Sequence, residues 1–463
     1  MIPEEIDFTK AEKIIKRIMK KGKIPGACIV VSREGEEDII KGFGYADVKK
    51  KIPVTPDTLF ELASCSKSFT GLALLQLEEK KLVDLNDPVA KYFPWFYVRY
   101  YEKKHDITIR HLLRHTSGIP WEAISVIQAD KSKDALQKIV KKISGIELNS
   151  MPGKRFAYAT VNYDIIGAII EKVSGQSFED YMRENVFRPL RLDSTTVGAA
   201  GDNPLSARGY KSGLFSAGRY DAPVFRGNNP AGYVVSNGRD MARWLKLQLG
   251  LIESPMATLI KKTRRPGKMP AYSRRLDYSY GMGWIIDTKK GKEISHTGLN
   301  PTFSSYAGFS PKKKIGAAVL VNSNSPYTLI LAEYIMSLFT GERRRRSYFF
   351  PFAPGRYSPV VSFFLGIYLA LLAGPLFFTA AGILREVRRY TPLTGEEPVI
   401  LVFGTLVFLG LFFGFLSYPY MYRRTNWRTI FVWSAKGFVT AFILFLISLG
   451  LSYLLFFLRL FFQ

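Results

Sequence analysis

Three long uncharged runs in the C-terminal quarter constrain the fold of this 463-residue chain more than any other feature. They cover residues 357–384, 398–422 and 437–458, and Phe, Leu, Ile, Val and Gly dominate them. A helix needs about 20 apolar residues to cross the roughly 30 Å of hydrocarbon in a bilayer. Each run is long enough. Because only short charged loops separate them, we predict three transmembrane helices rather than buried core helices.

The rest of the chain, residues 1–341, has the composition of a folded domain, so we predict a soluble domain (1–341) followed by a membrane domain (342–463). Over the whole chain 47% of residues are hydrophobic and 22% are charged, which excludes disorder. Two cysteines, Cys28 and Cys65, are too few for a disulfide-stapled fold. With four histidines in addition, the chain has few metal ligands, and we expect neither a metal nor a cofactor.

The basic residues that flank the apolar runs bear on membrane orientation. On the side that carries residues 1–341 lie Arg343–Arg346, Arg356, Arg423, Arg424, Arg428 and Lys436; on the other side lie Arg385, Arg388, Arg389 and Arg459. The positive-inside rule therefore places the first domain in the cytoplasm. The run Arg343–Arg346 suits either anionic lipid headgroups or a solvated helix flank.

The N-terminus agrees with this orientation. Residues 1–23 predict a basic amphipathic helix without the apolar core and small-residue cleavage site of a signal peptide. Either the true start lies upstream, or the first domain stays in the cytoplasm.

Strand patterns occur at both ends of the first domain, and helical patterns lie between them. Residues 27–31 and 38–43 predict a hairpin, residues 60–250 are mainly helical, and four further strands are predicted at 280–286, 294–296, 304–309 and 315–322. A helix over 326–339 closes the domain. We therefore predict an α/β (α+β) fold, with one antiparallel sheet from both termini, flanking helices and a helical insert that forms a cleft beside the sheet.

Ser64-Cys65-Ser66-Lys67 opens a strongly apolar helix and supplies the first candidate for chemistry. A serine at a helix start exposes its Oγ, and its backbone N–H can face an oxyanion. Lys67 lies one turn further on the same face, where burial lowers its pKa and lets the neutral amine take the serine proton. The spacing alone is weak, because Ser64 could be only a helix cap. A second copy, Ser310 to Lys313, falls in a predicted turn, and we expect it to be solvated.

Residues 60–71, 77–88 and 107–118 resemble the serine β-lactamase and penicillin-binding-protein superfamily, most closely its class C and esterase-like branch. Residues 152–158 and 295–298 extend the resemblance to about residues 10–340. It implies a serine β-lactamase-like hydrolase domain that works through an acyl-enzyme, with Ser64 as nucleophile and Lys67 as base. Tyr158 is then the proton shuttle to the leaving group, and the nearby ammonium is expected to lower its pKa.

The same resemblance assigns the remaining parts of the site. Backbone N–H groups of Ser64 and Leu299 form the oxyanion hole. His296 stands in the third motif, either as a proton-transfer group or as a structural histidine at a strand end. Thr160 stands where the branch usually has Asn. His111 and His115 are expected to serve helix packing and capping.

A finer resemblance covers residues 156–167, 226–233, 294–305 and, before the third apolar run, 426–433. These segments are similar to the membrane-anchored, prodrug-activating D-asparaginyl peptidases, a group that includes the colibactin-maturation peptidase. This implies a multi-pass cell-membrane protein with an extracytoplasmic catalytic domain that removes an N-acyl-D-Asn cap from a nonribosomal peptide prodrug. Thr160, Asn228 and Asn300 would then bind the carboxamide. Alternatively, both asparagines are turn residues.

Two other functions remain open at this point. A D-Ala-D-Ala carboxypeptidase, β-lactamase or esterase would use the same nucleophile, and His296 with the basic excess could bind a substrate carboxylate. A membrane sensor would be acylated by a β-lactam-like ligand and would deacylate slowly. In each case we expect a small peptide or acylated amino acid and the lipid bilayer as partners, and no nucleic acid. The sequence does not indicate an oligomeric state.

Overall fold

The computed structural model describes residues 8–198, 203–213, 216–271, 278–288, 293–341, 358–423 and 426–463. Tertiary contacts divide the chain into two compact units. The first unit comprises Met1–Lys211 with Ala217–Phe350, and the second comprises Ser212–Ser216 with Pro351–Gln463. The predicted basic run Arg343–Arg346, together with Arg356, Arg424 and the predicted turn at 289–292, lies outside the described residues.

The strands of the described residues are, in chain order, β1 (Gly26–Arg33), β2 (Ile39–Asp47), β3 (Ile52–Pro53), β4 (Phe60–Glu61), β5 (Val98–Tyr100), β6 (Lys103–His105), β7 (Thr196–Val197), β8 (Tyr210–Ser212), β9 (Ala217–Arg219), β10 (Val234–Ser236), β11 (Pro270–Ala271), β12 (Tyr278–Tyr280), β13 (Ile285–Asp287), β14 (Ile294–Leu299), β15 (Ser304–Ser310) and β16 (Ile315–Val321). The helices are α1 (Phe8–Gly22), α2 (Lys67–Glu79), α3 (Val89–Tyr92), α4 (Ile109–Leu113), α5 (Ala135–Ile143), α6 (Val161–Ser174), α7 (Phe178–Met182), α8 (Asn229–Gly232), α9 (Gly238–Leu249), α10 (Ala257–Thr263), α11 (Tyr327–Thr340), α12 (Ser358–Leu384), α13 (Glu397–Arg423), α14 (Trp427–Trp433) and α15 (Lys436–Phe461).

The main sheet of the first unit is antiparallel and runs in the order β11-β12-β13-β14-β15-β16-β1-β2-β3. Its centre joins the two ends of the unit, because β1 pairs with β16 from Ala27 opposite Val321 to Arg33 opposite Ile315. The predicted sheet built from both termini is therefore confirmed. Together with the flanking helices it has the predicted β-lactamase-like α/β architecture.

Both faces of the central strands are buried, which explains why β1 and β16 are almost continuously apolar. Side chains alternate between faces along a strand. On one face, Ile29 and Val319 pack with Ile15 of α1 and Ile335 of α11 in one hydrophobic core. On the other face, the Ser32 hydroxyl donates to the backbone of α9. The sheet is thus sandwiched between helical layers.

The helical insert is built around α2, whose residues from Lys67 to Leu77 are all buried. One predicted strand, residues 280–286, is instead two short strands joined by a turn. At Gly283 φ is +88°, and an added Cβ would lie 2.5 Å from backbone atoms of Lys67 and Ser68. The backbone of this turn therefore packs directly against the backbone at the start of α2. A continuous extended strand over 280–286 would not make this contact.

The second unit contains the three predicted long helices. Windows of 18 residues within Val360–Leu384, Glu397–Met421 and Lys436–Phe461 have mean hydropathies of 2.2, 2.7 and 2.5. Each of these three stretches is long and apolar enough to cross a membrane. Pro375 and Pro419 lie inside α12 and α13, as is tolerated in such helices.

Candidate active site

Ser64 lies in a short 3-10 turn, Ala63–Ser66, that leads directly into α2. From residue 58 to residue 77, Ser64 is the one position that is not buried. The preceding residue, Ala63, has φ of 45°, a left-handed conformation that costs energy for a residue with a Cβ. The backbone is therefore bent so that this serine, alone in a buried segment, meets solvent.

Strand β14 holds this turn from one side. A Cβ added to Gly298 would lie 2.5 Å from the Leu62 carbonyl oxygen and 2.8 Å from the Ala63 Cβ, so only glycine permits this approach. The Ser305 hydroxyl donates to the Leu62 carbonyl at 2.5 Å. From the other side, Leu62 N–H donates to the Val234 carbonyl at 2.8 Å. The turn is thus fixed between two strands.

Lys67 is fully buried, and its Nζ lies 3.1 Å from Ser64 Oγ, 3.2 Å from Thr160 Oγ1 and 2.8 Å from the Ala231 carbonyl oxygen. Burial lowers the pKa of this ammonium to about 7, and the charge of Asp164 opposes the shift. A substantial fraction of Lys67 is therefore neutral at physiological pH. It can take the proton of the serine hydroxyl.

Asp164 is a buried carboxylate beside Lys67 that sequence analysis missed. It is fully buried on α6, one turn after Thr160, and burial raises its pKa while the Lys67 charge and the Ala231 backbone N–H lower it. Ala231 therefore contacts both ionisable groups, since its carbonyl accepts from Lys67. The proton affinity at this site belongs to the Lys67–Asp164 pair. Asp164 is the one charged residue among the ten buried residues 161–170 at the start of α6, and this was the available signal.

Tyr158 approaches Ser64 from the insert, and the Ser64 hydroxyl lies near enough to influence the pKa of the phenol. The Lys67 Nζ lies 5.3 Å from the centre of its ring. Burial raises the pKa of the Tyr158 phenol, although the nearby Ser64 hydroxyl opposes the shift. The expectation that the ammonium lowers this pKa is therefore wrong. The phenol is protonated at neutral pH and is placed to donate.

His296 is buried, and both ring nitrogens are occupied. Nδ1 lies 2.7 Å from the Thr297 carbonyl oxygen, to which it can only donate. Nε2 must then be the acceptor for the Tyr280 hydroxyl, 3.0 Å away. Burial, with the Lys67 charge, lowers the pKa of His296 to about 3. This neutral, fixed imidazole favours the structural alternative over proton transfer, and it carries no positive charge for a substrate carboxylate.

Leu299 ends β14 next to the Ser64 turn, and its N–H points out of the β14–β15 ladder. Asn300 N–H donates to Phe303 O, and hydrogen-bonded pairs alternate along antiparallel strands. The pair Leu299–Ser304 is therefore a non-bonded one. On the other side, β13 pairs with β14 only as far as Ser295. The geometry is that expected of an oxyanion donor.

The predicted carboxamide-binding residues lie around Lys67, but two of them bond within the protein. Asn300 is buried, and its Nδ2 donates to Glu61 Oε2 at 2.7 Å and to the Gly232 carbonyl at 2.8 Å. Asn228 is also buried, and its amide donates to both Asp164 oxygens at 3.1 Å. Their binding of substrate stays a prediction, and this geometry favours loop positioning instead. Thr160 contacts Lys67 directly.

The remaining sequence candidates occupy structural positions. Ser310 is buried, not solvated as expected, and Lys313 donates to the Thr340 carbonyl at the end of α11. Burial raises the pKa of the Cys65 thiol to about 12, so it is not a competing nucleophile. His111 caps α4, since its Nδ1 accepts from Thr108 N–H. Among the described residues, no group of three or more His, Cys, Asp and Glu side chains is arranged for a metal ion.

Comparison with known proteins agrees with this fold. The sequence profile of the beta-lactamase family matches residues 11–338. The chain belongs to the beta-lactamase family. Members of this family are typically serine hydrolases, and the predicted superfamily is thereby confirmed.

Among curated relatives of this family member, Protein flp of Staphylococcus aureus (strain MW2) is 32% identical over 342 residues, or 72% of this chain and 66% of the relative. The chain thus spans about two thirds of that protein. A beta-lactamase of Escherichia coli (strain K12) is 28% identical over 364 residues, covering 70% of this chain and 90% of the relative.

Solved structures give the same result. The octameric penicillin-binding protein homologue from Pyrococcus abyssi is similar with a TM-score of 0.63 and 28% identity, over 77% of this chain and 81% of that one. A penicillin binding protein from Bacillus halodurans, 23% identical with a TM-score of 0.59, covers 70% of this chain and 99% of that one and supports the fold alone.

Proposed function

We propose that this chain is a membrane-anchored serine peptidase that cleaves an amide through an acyl-enzyme. The observation that carries the proposal is the contact between a fully buried Lys67 and the one accessible residue of its segment, Ser64. A lysine base activates a serine when burial brings its pKa near neutrality. The pKa of Lys67, at about 7, meets this requirement.

The arrangement supports the following sequence of steps. Ser64 Oγ attacks the amide carbonyl while Lys67 takes its proton, and the N–H groups of Ser64 and Leu299 stabilise the developing oxyanion. The protonated Tyr158 phenol donates to the leaving amine, which needs a proton to depart, and the proton that Lys67 took from Ser64 returns to the Tyr158 phenolate. Water then hydrolyses the ester on Ser64. These steps need no metal or cofactor.

For the substrate, we propose the N-acyl-D-Asn cap of a nonribosomal peptide prodrug. This assignment rests on the similarity of residues 156–167, 226–233 and 294–305 to the D-asparaginyl peptidases, and on Thr160 next to Lys67. In this proposal the catalytic domain lies outside the cytoplasm, and α12, α13 and α15 anchor it in the cell membrane. The charge distribution around the helices argues for the opposite orientation, so the orientation needs its own test.

A second candidate is a D-Ala-D-Ala carboxypeptidase or β-lactam hydrolase. It is favoured by the internal bonds of Asn228 and Asn300, which use their amide N–H groups within the protein. The similarity to proteins described as penicillin-binding points the same way. A slowly deacylating sensor would share every residue of the site.

One assay on the full chain in detergent separates these functions. Steady-state cleavage is measured for amides of N-acyl-D-Asn and N-acyl-L-Asn and for an acyl-D-Ala-D-Ala peptide, with Ser64→Ala as the control. Preference for N-acyl-D-Asn supports the proposal, and faster cleavage of D-Ala-D-Ala supports the second candidate. A single turnover that leaves Ser64 acylated identifies a sensor. Wild-type turnover that survives in Ser64→Ala overturns all three.

A further inference from the structure

His115 is a buried residue that the steps above do not use, yet it holds the backbone on both sides of Tyr158. Its carbonyl oxygen accepts from Ala157 N–H at 2.8 Å, and its ring Nδ1 accepts from Ala159 N–H at 3.3 Å. Its ring also lies against the Tyr158 ring, with centroids 4.2 Å apart and planes 30° from parallel. The His115 ring thus contacts Tyr158 and fixes the residue after it, while the His115 backbone carbonyl fixes the residue before it.

A chain of hydrogen bonds fixes the protonation of this imidazole. Ile119 N–H donates to the Ser117 hydroxyl, which donates to Asn162 Oδ1 at 2.9 Å. The Asn162 amide therefore presents its N–H₂ to His115 Nδ1, 3.0 Å away. Two donors thus face Nδ1, so it carries no proton and His115 is the neutral Nε2–H tautomer. Burial likewise lowers its pKa well below the usual value.

The other ring nitrogen shows that His115 is not a proton relay. Nε2 is buried and has no hydrogen-bond partner among the described residues. The His115 ring packs against aromatic rings: its centroid lies 4.7 Å from that of Tyr280, with the planes at 72°, and 5.4 Å from that of Tyr163. A buried N–H without an acceptor costs free energy, and a relay needs a partner at each end. The ring is held for its shape and for its Nδ1 acceptor.

We propose that His115 is a positioning residue for Tyr158: it fixes the phenol next to Ser64 and so controls proton donation to the leaving group. This inference rests on the proposed acyl-enzyme function, and it assigns His115 more than the packing and capping expected from the sequence. This positioning role predicts a specific difference between the kinetics of amide and ester cleavage. An amine leaving group needs the Tyr158 proton, whereas p-nitrophenolate departs without one. Misplacing Tyr158 must therefore slow amide cleavage more than ester cleavage.

The test measures kcat/KM of the full chain in detergent for two matched substrates, the p-nitrophenyl ester and the benzylamide of the same acyl group, N-acetyl-D-Asn or N-acetyl-D-Ala. His115→Phe keeps a ring against Tyr158 but removes the Nδ1 acceptor. Loss of the two bonds to Nδ1 should lower the amide-to-ester ratio about tenfold, which corresponds to about 1.4 kcal/mol. His115→Asn, whose Oδ1 replaces Nδ1, should restore most of the ratio.

Two controls separate positioning from stability. His111→Phe, one turn earlier, removes the cap of α4 and should lower the unfolding temperature without changing the ratio. In the Tyr158→Phe background, His115→Phe should change the ratio no further, because the group through which it acts is absent. Stoichiometric acylation of Ser64 by the ester confirms that each variant is folded at the site.

The outcomes distinguish this inference from the proposed function. Equal losses on ester and amide, or no loss, in His115→Phe overturn the positioning role and leave the acyl-enzyme function intact. A fall in the ratio that persists in the Tyr158→Phe background also overturns it. A wild type that cleaves the esters and neither amide removes the step that His115 would assist. A wild type whose Ser64 is never acylated overturns the proposed function itself.

Discussion

The Nζ atom of Lys67 lies 3.1 Å from the Oγ atom of Ser64, but only the serine of this pair meets solvent. Lys67, the base, is thus shielded from solvent, while Ser64, the nucleophile, is accessible to substrate. Three oxygen atoms surround the amine, from Ser64, Thr160 and the Ala231 carbonyl, so a charged Lys67 can also be tolerated. The site is thus compatible with both the neutral and the charged form of Lys67.

The first prediction concerns the catalytic pair. Ser64→Ala and Lys67→Ala should each nearly abolish turnover, and the double variant should be little worse, because the two residues act as a unit. Turnover is measured on the substrate that the wild type prefers. Ser310→Ala, from the second copy of the spacing, should be silent. Residual activity above about a tenth of wild type in Ser64→Ala would contradict a nucleophilic role.

The second prediction concerns pH. Since only the neutral amine accepts a proton, kcat/KM should rise with pH through the pKa of Lys67, at about 7. The Asp164 carboxylate raises this pKa, so Asp164→Asn should move the acidic limb of the profile to lower pH. Asp134→Asn, an exposed carboxylate paired with Lys138, is the matched control and should leave the limb in place. A shift to higher pH would contradict the assignment.

The third prediction concerns stability. The pKa of Lys67 is about 7 in the folded state against 10.5 for the ordinary side chain, so between these values the unfolded state binds more protons. The contribution of Lys67 to the free energy of unfolding therefore rises with pH, by about 1.4 kcal/mol per pH unit inside that window. Lys67→Met, measured by denaturant unfolding, should be most stabilising at and below pH 7 and lose this advantage towards pH 10. Parallel pH profiles for the two proteins would show that Lys67 is not buried as described.

The fourth prediction concerns Asn300. Its amide hydrogens bond Glu61 and Gly232, so Asn300→Ala should lower the free energy of unfolding by about 1–3 kcal/mol and reduce cleavage of acyl-D-Asn and acyl-D-Ala amides equally. Unfolding curves and kcat/KM for both amides check this. The sequence alone predicts the opposite, a loss confined to acyl-D-Asn. A loss confined to acyl-D-Asn would instead show that Asn300 recognises the substrate side chain.

The fifth prediction concerns membrane orientation. If the catalytic domain lies outside the cytoplasm, protease added to intact spheroplasts should digest the 1–341 region and leave a membrane-protected fragment that contains α12 to α15. The helices are shielded because hydrocarbon excludes the protease. Digestion of a cytoplasmic marker must be absent in the same sample. Full protection of residues 1–341 until lysis would place the active site in the cytoplasm and exclude activation of an exported prodrug.

Much of the fold was predictable because the signals are local. The long helices follow from uncharged length, and α12 ends at Leu384, where the predicted run ends. The strands β15 and β16 follow from apolar runs bounded by a turn. The segment 280–286 was wrongly predicted as one strand, because its break is imposed by the distant backbone of Lys67, with which Gly283 makes contact. Periodicity carries no information about such a contact.

In the candidate site, too, the residues within local motifs were predictable and the contacts between distant residues were not. The order of motifs identified Ser64, Lys67 and Tyr158, and the structure brings all three together. The bonding of Asn228 to Asp164, and of His115 to the backbone around Tyr158, depends on residues far apart in the chain. Polarity alone could not tell a donor aimed at substrate from one used inside the protein.

The pairing of β1 with β16 also determines when the sheet can form during biosynthesis. The partner of strand β1 ends at Val321, so the centre of the sheet cannot close until some 290 residues have been added after β1. Until then β1 can pair only with β2, and its other edge has no native neighbour and is open to aggregation. The first hydrophobic helix emerges soon afterwards, at Ser358. The sheet of the first unit is therefore completed only shortly before a helix long and apolar enough to cross a membrane is made, and chains that stop before residue 315 should be cleared as unfolded protein.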